Sequence, residues 1–351
     1  MLPSVDVVIP HYKGTEKLLN CLETLYRTDY PDFRVILVDN ACIDDSVKVA
    51  KGKFPELKVL SLDENLGFAG GCNAGVNFSD RELVALLNDD TEVEPGWLKA
   101  MVEALLSDPQ VAAVQPKLRW IVDKEKFDYA GAAGGLMDIF GFPFCYGRMF
   151  ETVEVDHGQY DWVREIFWAT GSATLYYREL FIRAGMLDED FFAHQEEIDL
   201  NWRFQLMGYK AVTATEAVVY HYAGATLPAS DFRKKYLNHR NSIMMLIKNY
   251  QLSTLWWLLP VRLLLESAAI ILAVKQRDFK RIMAIIRGVL WNLTNYPKLH
   301  AARKKVHLLR TVPDKAIMKR LYKGMVALQY YIFGKETWFE LTGGSRLTGG
   351  M

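Results

Sequence analysis

The sequence predicts an α/β fold, a mostly parallel sheet flanked by helices, followed by a basic helical region. Three observations predict it. Short apolar runs alternate with helical patterns, each run ends at a polar cluster, and acidic and basic residues are segregated along the chain. The 351 residues are 50% hydrophobic and 24% charged, which excludes a disordered or fibrous chain. That length suits one large domain or two ordinary ones.

Val5 to Ile9 is the first buried strand, ending at Pro10-His11-Tyr12, and a helical pattern covers Glu16 to Tyr26. Val35 to Val38 ends at Asp39-Asn40 and precedes a helix over Asp45 to Lys53. Val59 to Leu62 leads into the glycine-rich NLGFAGGCNAG and a helix over Gly71 to Phe78. Leu83 to Leu87 ends at Asn88-Asp89-Asp90, with a helix over Trp97 to Leu106. In such sheets ligands sit beyond the carboxyl ends of the strands, so these polar clusters converge on one edge. Glycines opening a helix let backbone N–H groups approach a phosphate. The dinucleotide fingerprint is missing, because the first connection, PHYKGTEK, has Gly14 alone. Adjacent carboxylates at a strand end suit Mg²⁺ or Mn²⁺. Helix capping explains a lone pair of aspartates, but less well beside Asp39 and the glycine-rich segment.

Residues 1–230 hold 20 Lys and Arg against 36 Asp and Glu, whereas 231–323 hold 20 against 4. A domain boundary near 230 follows, with a helical region over 231–340 and a flexible glycine-rich tail over 341–351. Leu252 to Val274 is long enough to cross a bilayer, but Pro260, Arg262 and Glu266 interrupt it. Together with DFKRIMAIIRGVL it reads as interfacial helices drawn to anionic lipid; a homodimer is the other contact these helices allow. No motif supports nucleic acid. Cys21, Cys42, Cys72 and Cys145 lack zinc or disulfide spacing and read as reduced thiols. The first residues show no signal-peptide succession, so the expectation is a cytoplasmic protein, peripheral on the cytoplasmic face of the membrane.

The motifs VVIPHY, VILVDN, ENLGFAGGCNAG and LLNDDTEVEPGWL, in this order, resemble the inverting glycosyltransferases of family 2, in the rhamnosyltransferase-like branch that builds bacterial surface polysaccharides. The resemblance continues through WATGSATLYYRELFIRAGMLDEDFFAHQEEIDLNWRFQLMGY, VVYHYAGAT and YLNHRNSIMMLIKNY. It implies a GT-A fold, a nucleotide diphosphate sugar donor and Mg²⁺ or Mn²⁺. It further implies that Asp39 binds the donor base and that Asn88-Asp89-Asp90 is the metal signature, Asp90 the first ligand and Asp89 beside it. Pro10, Tyr12, Asn65, Gly67, Phe68, Gly70 and Asn73 would line the nucleotide and sugar, although for the glycines close packing or a positive φ stays an open alternative. His221 falls where relatives have a histidine near the diphosphate or metal, an ordinary hydrogen-bonded histidine being the other reading. Trp168, Thr170 and Gly171 resemble the segment beneath the sugar and acceptor, and a core tryptophan stays open.

The resemblance assigns catalysis to Glu196-Glu197-Ile198-Asp199, where the family usually has Glu-Asp-x-Asp. Glu197 stands at the general base, with Glu196 and Asp199 as alternatives. Arg203 is explained by an i, i+4 pair with Asp199. Trp120 to Glu165, long and aperiodic, is expected to cover the acceptor site and to order on donor binding. The implied activity is non-processive inverting transfer, first L-rhamnose from a dTDP donor, to a hydroxyl of a polyprenyl-linked or surface-polysaccharide acceptor. No Gln-x-x-Arg-Trp follows the acidic motif, which disfavours a processive polymerase. The alternatives are a sugar nucleotidyltransferase and a catalytically silent membrane-associated scaffold for glycan assembly.

Overall fold

The computed structural model describes residues 2–163, 165–222 and 231–344. Val5–His11 (β1), Thr15–Leu25 (α1), Phe33–Asn40 (β2), Ser46–Lys53 (α2), Lys58–Leu62 (β3), Gly67–Phe78 (α3) and Leu83–Leu87 (β4) form the predicted alternation. β3, β2, β1 and β4 lie side by side in that order, all parallel. Alternate side chains of a strand point to opposite faces. Val7 and Ile9 accordingly join one buried cluster with α1, and Val8 joins another with α3.

α3 starts four residues before the prediction, so the glycine-rich segment forms the first turns of a helix. Close packing requires it: a Cβ on Gly75 would lie 2.3 Å from Val8 Cγ1, and one on Gly71 3.2 Å from Pro10 Cβ. Glycine lets the helix backbone rest directly on β1 and β2.

Then follow Thr91–Val93 (β5), Trp97–Leu106 (α4), Val111–Trp120 (β6), Gly135–Met137 (β7), Pro143–Cys145 (β8), Arg148–Met149 (β9), Thr152–Val153 (β10), Glu165–Ile166 (β11), Ala173–Tyr177 (β12), Arg178–Arg183 (α5), Glu196–Leu206 (α6) and Lys210–His221 (β13). The main sheet continues from β4 through β12, β6, β13 and β11. β12 is antiparallel to both neighbours while β13 runs parallel to β6, so the outer half is mixed. The segment expected to be a long loop instead holds a second, antiparallel sheet, β7 to β10. Its Phe144, Tyr146 and Tyr160 are buried, and Tyr146 packs edge-on to Trp338, 4.8 Å between centroids.

The chain ends in Phe232–Asn249 (α7), Leu252–Lys275 (α8), Phe279–Thr294 (α9), Tyr296–Leu309 (α10), Asp314–Ile317 (α11), Val326–Tyr331 (α12) and Trp338–Thr342 (α13). The boundary near 230 divides charge but not packing, because one buried cluster contains Val8, Trp202, Met244 and Trp338. Lys248 of α7 donates to Asp188 and, at 2.9 Å, to Asp199, stitching the two parts together. α13 runs into the stretch expected to be a flexible tail; residues 345–351 lie outside the described residues, as do the last residues of VVYHYAGAT. Among the described helices α8 alone is long and apolar enough to cross a membrane. Its Arg262 and Glu266 are buried and paired at 2.5 Å, whereas Trp256 is 86% exposed.

Candidate active site

β4 delivers Asn88 to Asp90 to the carboxyl edge of the sheet, and the following β5 pairs Thr91 with His221 at the end of β13. This pairing sets Asp90 beside His221, with Oδ1 3.2 Å from Nε2. Behind the ring, Nδ1 lies 2.7 Å from Oδ1 of the fully buried Asp128. Burial alone would lower the pKa of His221, but Asp128 and Asp90 push it up to about 10. At that pKa the ring is an imidazolium, donating Nδ1–H to Asp128 and Nε2–H to the Asp90 carboxylate. A divalent ion bound there would take the place of the Nε2 proton between ring and carboxylate, and a carboxylate behind a histidine is how proteins orient a metal-binding imidazole. One carboxylate and one imidazole, completed by phosphate oxygens, fit Mn²⁺ or Mg²⁺. Asp89, the expected second ligand, turns away: its Oδ2 is 2.5 Å from His11 Nδ1, and His11 Nε2 is 2.6 Å from Ser46 Oγ. His11, Cys42 and Asp44 also lie close together, but all three hydrogen-bond to Ser46.

α6, which carries the expected catalytic carboxylates, is reached through a strained strap. Phe192, His194 and Gln195 have φ of 62°, 71° and 73°, a region costly for residues other than glycine. α7 holds them there. Asn241 Nδ2 donates to the carbonyls of Phe191, Ala193 and His194 at 3.2, 3.0 and 2.7 Å, and Arg240 donates to those of Asp190 and Phe191. Glu196 and Glu197 thereby sit in the first turn of α6, where free backbone N–H groups favour negative charge. Both line a cavity of about 930 Å³, and the Oε2 of each has no hydrogen-bond partner among the described residues. Burial, reinforced by Glu197, holds Glu196 well above the usual carboxylate range. Burial raises Glu197 to about 7, against the backbone N–H groups of the helix start. Asp199 is different. Its Oδ2 meets Arg203 at 3.0 Å and Lys248 at 2.9 Å, its Oδ1 meets Asn249 at 2.8 Å, and it does not line the cavity.

Phe68, Asn88, Asp90, Trp168, Thr170, Gly171 and His221 share that cavity. Gly171 is needed beside Phe68, since a Cβ would come 3.1 Å from the ring. Trp168 forms wall: its Nε1 donates to the Leu136 carbonyl at 2.8 Å, and Gly135 lies flush against its ring. Pro10, Tyr12 and Asp39 sit at the ends of β1 and β2, outside the cavity. Asp39 accepts from Cys42 N at 2.8 Å and Ser61 Oγ at 3.2 Å, and Tyr12 is exposed. Asn65 Oδ1 accepts from Gly67 N at 2.8 Å, and the unpredicted Asn40 pins the start of α3 through Leu66 N and the Gly67 carbonyl, both at 2.9 Å. Gly67 itself has φ +73° against the Phe192 carbonyl. Gly70 packs on Leu66. Asn73 exchanges two hydrogen bonds with the backbone of Leu187, at 2.8 and 3.0 Å, so its amide is occupied in joining α3 to the strap.

Residues 6–181 match the family model described as Glycosyl transferase family 2. The chain is 24% identical over 313 residues to the N-acetylglucosaminyl-diphospho-decaprenol L-rhamnosyltransferase of Mycobacterium tuberculosis, covering 82% of this chain and 98% of that one. It is 27% identical over 249 residues to the O-antigen biosynthesis protein RfbC of Myxococcus xanthus, covering 68% of this chain but 19% of that protein's length. Among solved structures, GalNAc-T7 with UDP, GalNAc and Mn²⁺ matches with a TM-score of 0.58 at 14% identity, covering 84% of this chain and 58% of that one. Residues 1–349 of S. aureus TarS match with a TM-score of 0.52 at 15% identity, covering 91% of this chain and 93% of that one. These structural likenesses establish the fold.

Proposed function

Because the chain belongs to glycosyl transferase family 2, and is thus a glycosyltransferase of GT-A fold, we propose that it transfers a sugar from a nucleotide diphosphate donor to a hydroxyl of a polyprenyl-linked glycan, with inversion and without polymerisation. The observation that carries this reading is one cavity shared by Glu197, whose carboxyl burial raises to about 7, and the Asp90–His221 pair. Glu197 takes the acceptor hydroxyl proton as that oxygen bonds to the anomeric carbon; the bond from this carbon to the phosphate oxygen breaks, and the nucleoside diphosphate leaves. A divalent ion held by Asp90 and His221 would neutralise the departing diphosphate. Phe68 and Gly171 shape the sugar pocket, while Asp39 and Tyr12 serve the nucleoside. The rhamnosyltransferase likeness makes L-rhamnose from a dTDP donor the first candidate. The exposed apolar side chains of α8 and α9 support a peripheral seat on a membrane.

Thermal stability in the presence of nucleotide sugars, with and without Mn²⁺, tests the reading, because a ligand bound to the native state raises its apparent stability. Metal-dependent stabilisation by one donor, dTDP-L-rhamnose first, is expected. Pyrophosphate release from a sugar phosphate and NTP would indicate nucleotidyl transfer instead, and silence across the panel would count against catalysis.

A further inference from the structure

The wall of the cavity formed by the second sheet carries a cation that the chemistry above does not use. Arg148, on β9, is 8% exposed and forms no salt bridge among the described residues. Among the described residues its Nε has no hydrogen-bond partner, and Nη1 and Nη2 reach only the Phe150 carbonyl at 3.5 Å and Cys145 Sγ at 3.6 Å. The guanidinium lies 4.5 Å from the centre of the Tyr129 ring, and Lys234 Nζ lies 6.0 Å from the same ring. Lys234 and Arg281 line the same cavity. Of the acids nearby, Asp128 gives its Oδ1 to His221 and attracts Arg148 without forming a salt bridge, and Glu151 is within electrostatic reach of Lys234. A buried guanidinium with no carboxylate in direct contact has donors left to satisfy, and its fork matches phosphate oxygens.

Its position selects the phosphate. Tyr12 and Asp39, on the nucleoside side, do not line the cavity, which instead joins Asp90 and Glu197 to α8 and α12. Phe150, two residues from Arg148, packs on Tyr330 and Tyr331 of α12 at 5.1 and 5.2 Å. Leu265, Ile271 and Leu272 of α8 and Leu328 of α12 add apolar lining there, and Ile271 continues onto the exposed face. The cavity therefore offers a base, a buried cation and an apolar exit together, which are the complements of a sugar hydroxyl, a diphosphate and a hydrocarbon chain.

Resting on the glycosyltransferase reading above, we propose that this wall is the acceptor subsite for a prenyl diphosphate. Arg148 and Lys234, with Arg281 beside them, bind the diphosphate, and the apolar side chains of α8 and α12 bind the first isoprene units. The same cations suit the donor's diphosphate, so the test must separate the two. Farnesyl diphosphate, farnesol, and UDP or dTDP with Mn²⁺ are titrated into the full chain, into Arg148→Gln, and into the double variant Lys234→Gln, Arg281→Gln. The double variant changes only partly buried or exposed positions, so it reports on the site even where loss of Arg148 disturbs folding.

Farnesyl diphosphate is expected to bind the unsubstituted chain at least tenfold more tightly than farnesol. Each variant is expected to weaken farnesyl diphosphate about tenfold or more while nucleotide–Mn²⁺ affinity stays within twofold. Weakened nucleotide binding with farnesyl diphosphate unchanged would assign the cations to the donor and overturn the proposal. Nucleotide–Mn²⁺ binding without any binding of farnesyl diphosphate would overturn it too, leaving the glycosyltransferase reading intact. Failure of every nucleotide to bind the unsubstituted chain would strike that reading itself.

Discussion

Glu197 ionises near pH 7 because burial strips water from its carboxylate faster than the N–H groups at the start of α6 replace it. A base acts only when ionised, so kcat/KM is expected to fall about tenfold per pH unit below 7 and to level off above it. A flat profile between pH 5.5 and 8 would remove Glu197 from the role. Glu197→Gln is expected to lower turnover by about 10²–10⁴ while nucleotide–Mn²⁺ affinity holds. The same shift works against stability. With its folded pKa raised, the group binds a proton in the native state that the unfolded chain releases, so stability falls as pH rises from the ordinary carboxylate range through 7. Glu197→Gln should therefore melt at a higher temperature than the parent at pH 8, with a smaller gap at pH 5. Asp128 acts through His221. Asp128→Asn is expected to weaken Mn²⁺ binding to the nucleotide complex about 10–100-fold in a calorimetric titration; unchanged affinity would mean that His221 holds no metal. Asp90 stands out in the sequence because it closes an apolar run, and Glu197 because its acidic motif resembles that of the family. Asp128 gives no such signal: it sits in an aperiodic stretch and meets its histidine 93 residues later.

α6 is placed by an element that charge alone assigns elsewhere. The strap before it holds three non-glycine residues at positive φ, and α7 secures it by donating five side-chain hydrogen bonds to its carbonyls. Asn241→Ala removes three of these and leaves buried carbonyls unpaired. We expect a stability loss of about 1–3 kcal/mol in urea denaturation. kcat should fall by a larger factor than the donor KM changes, because the base is displaced while Asp39 and Asp90 stay in place. A stability loss with kcat intact would make the strap a structural tie alone. β1, β2 and β4 are readable in advance because each is an apolar run buried on both faces, and the edge strand β3 because Val59, Leu60 and Leu62 are apolar, although only half-buried. α3 is misjudged at its start because glycine reads as loop, whereas here contact with Val8 and Pro10 demands it. β7 to β10 escape notice because two or three residues are too few to display a period.

The molecule as a whole segregates charge, acidic over residues 1–230 and basic from α7 onward, with 20 Lys and Arg against 4 Asp and Glu over 231–323. On that basic part Trp256, Leu264 and Ile271 of α8 and Phe279 and Leu293 of α9 face outward, while Arg262 and Glu266 face the cavity. Crossing a bilayer would take both ionised groups into hydrocarbon, at a cost of several kcal/mol even when paired. Lying in the interface leaves them in the cavity wall, buries the tryptophans at headgroup depth, and lets each nearby Lys or Arg contribute about 1 kcal/mol with anionic lipid. Sedimentation with vesicles checks this: the protein is expected to pellet with phosphatidylglycerol, less with phosphatidylcholine, and less again at high salt. Trp256→Ser with Trp257→Ser should reduce pelleting at least tenfold, with nucleotide–Mn²⁺ affinity unchanged because neither side chain lines the cavity. Insensitivity to both lipid charge and the tryptophans would refute the interfacial seat. In native membranes an alkaline carbonate wash should release a protein held this way. Retention would mean that α8 crosses the bilayer, and Arg262 would then have to leave Ser242 and the Phe142 ring, which it touches at 2.7 and 3.9 Å.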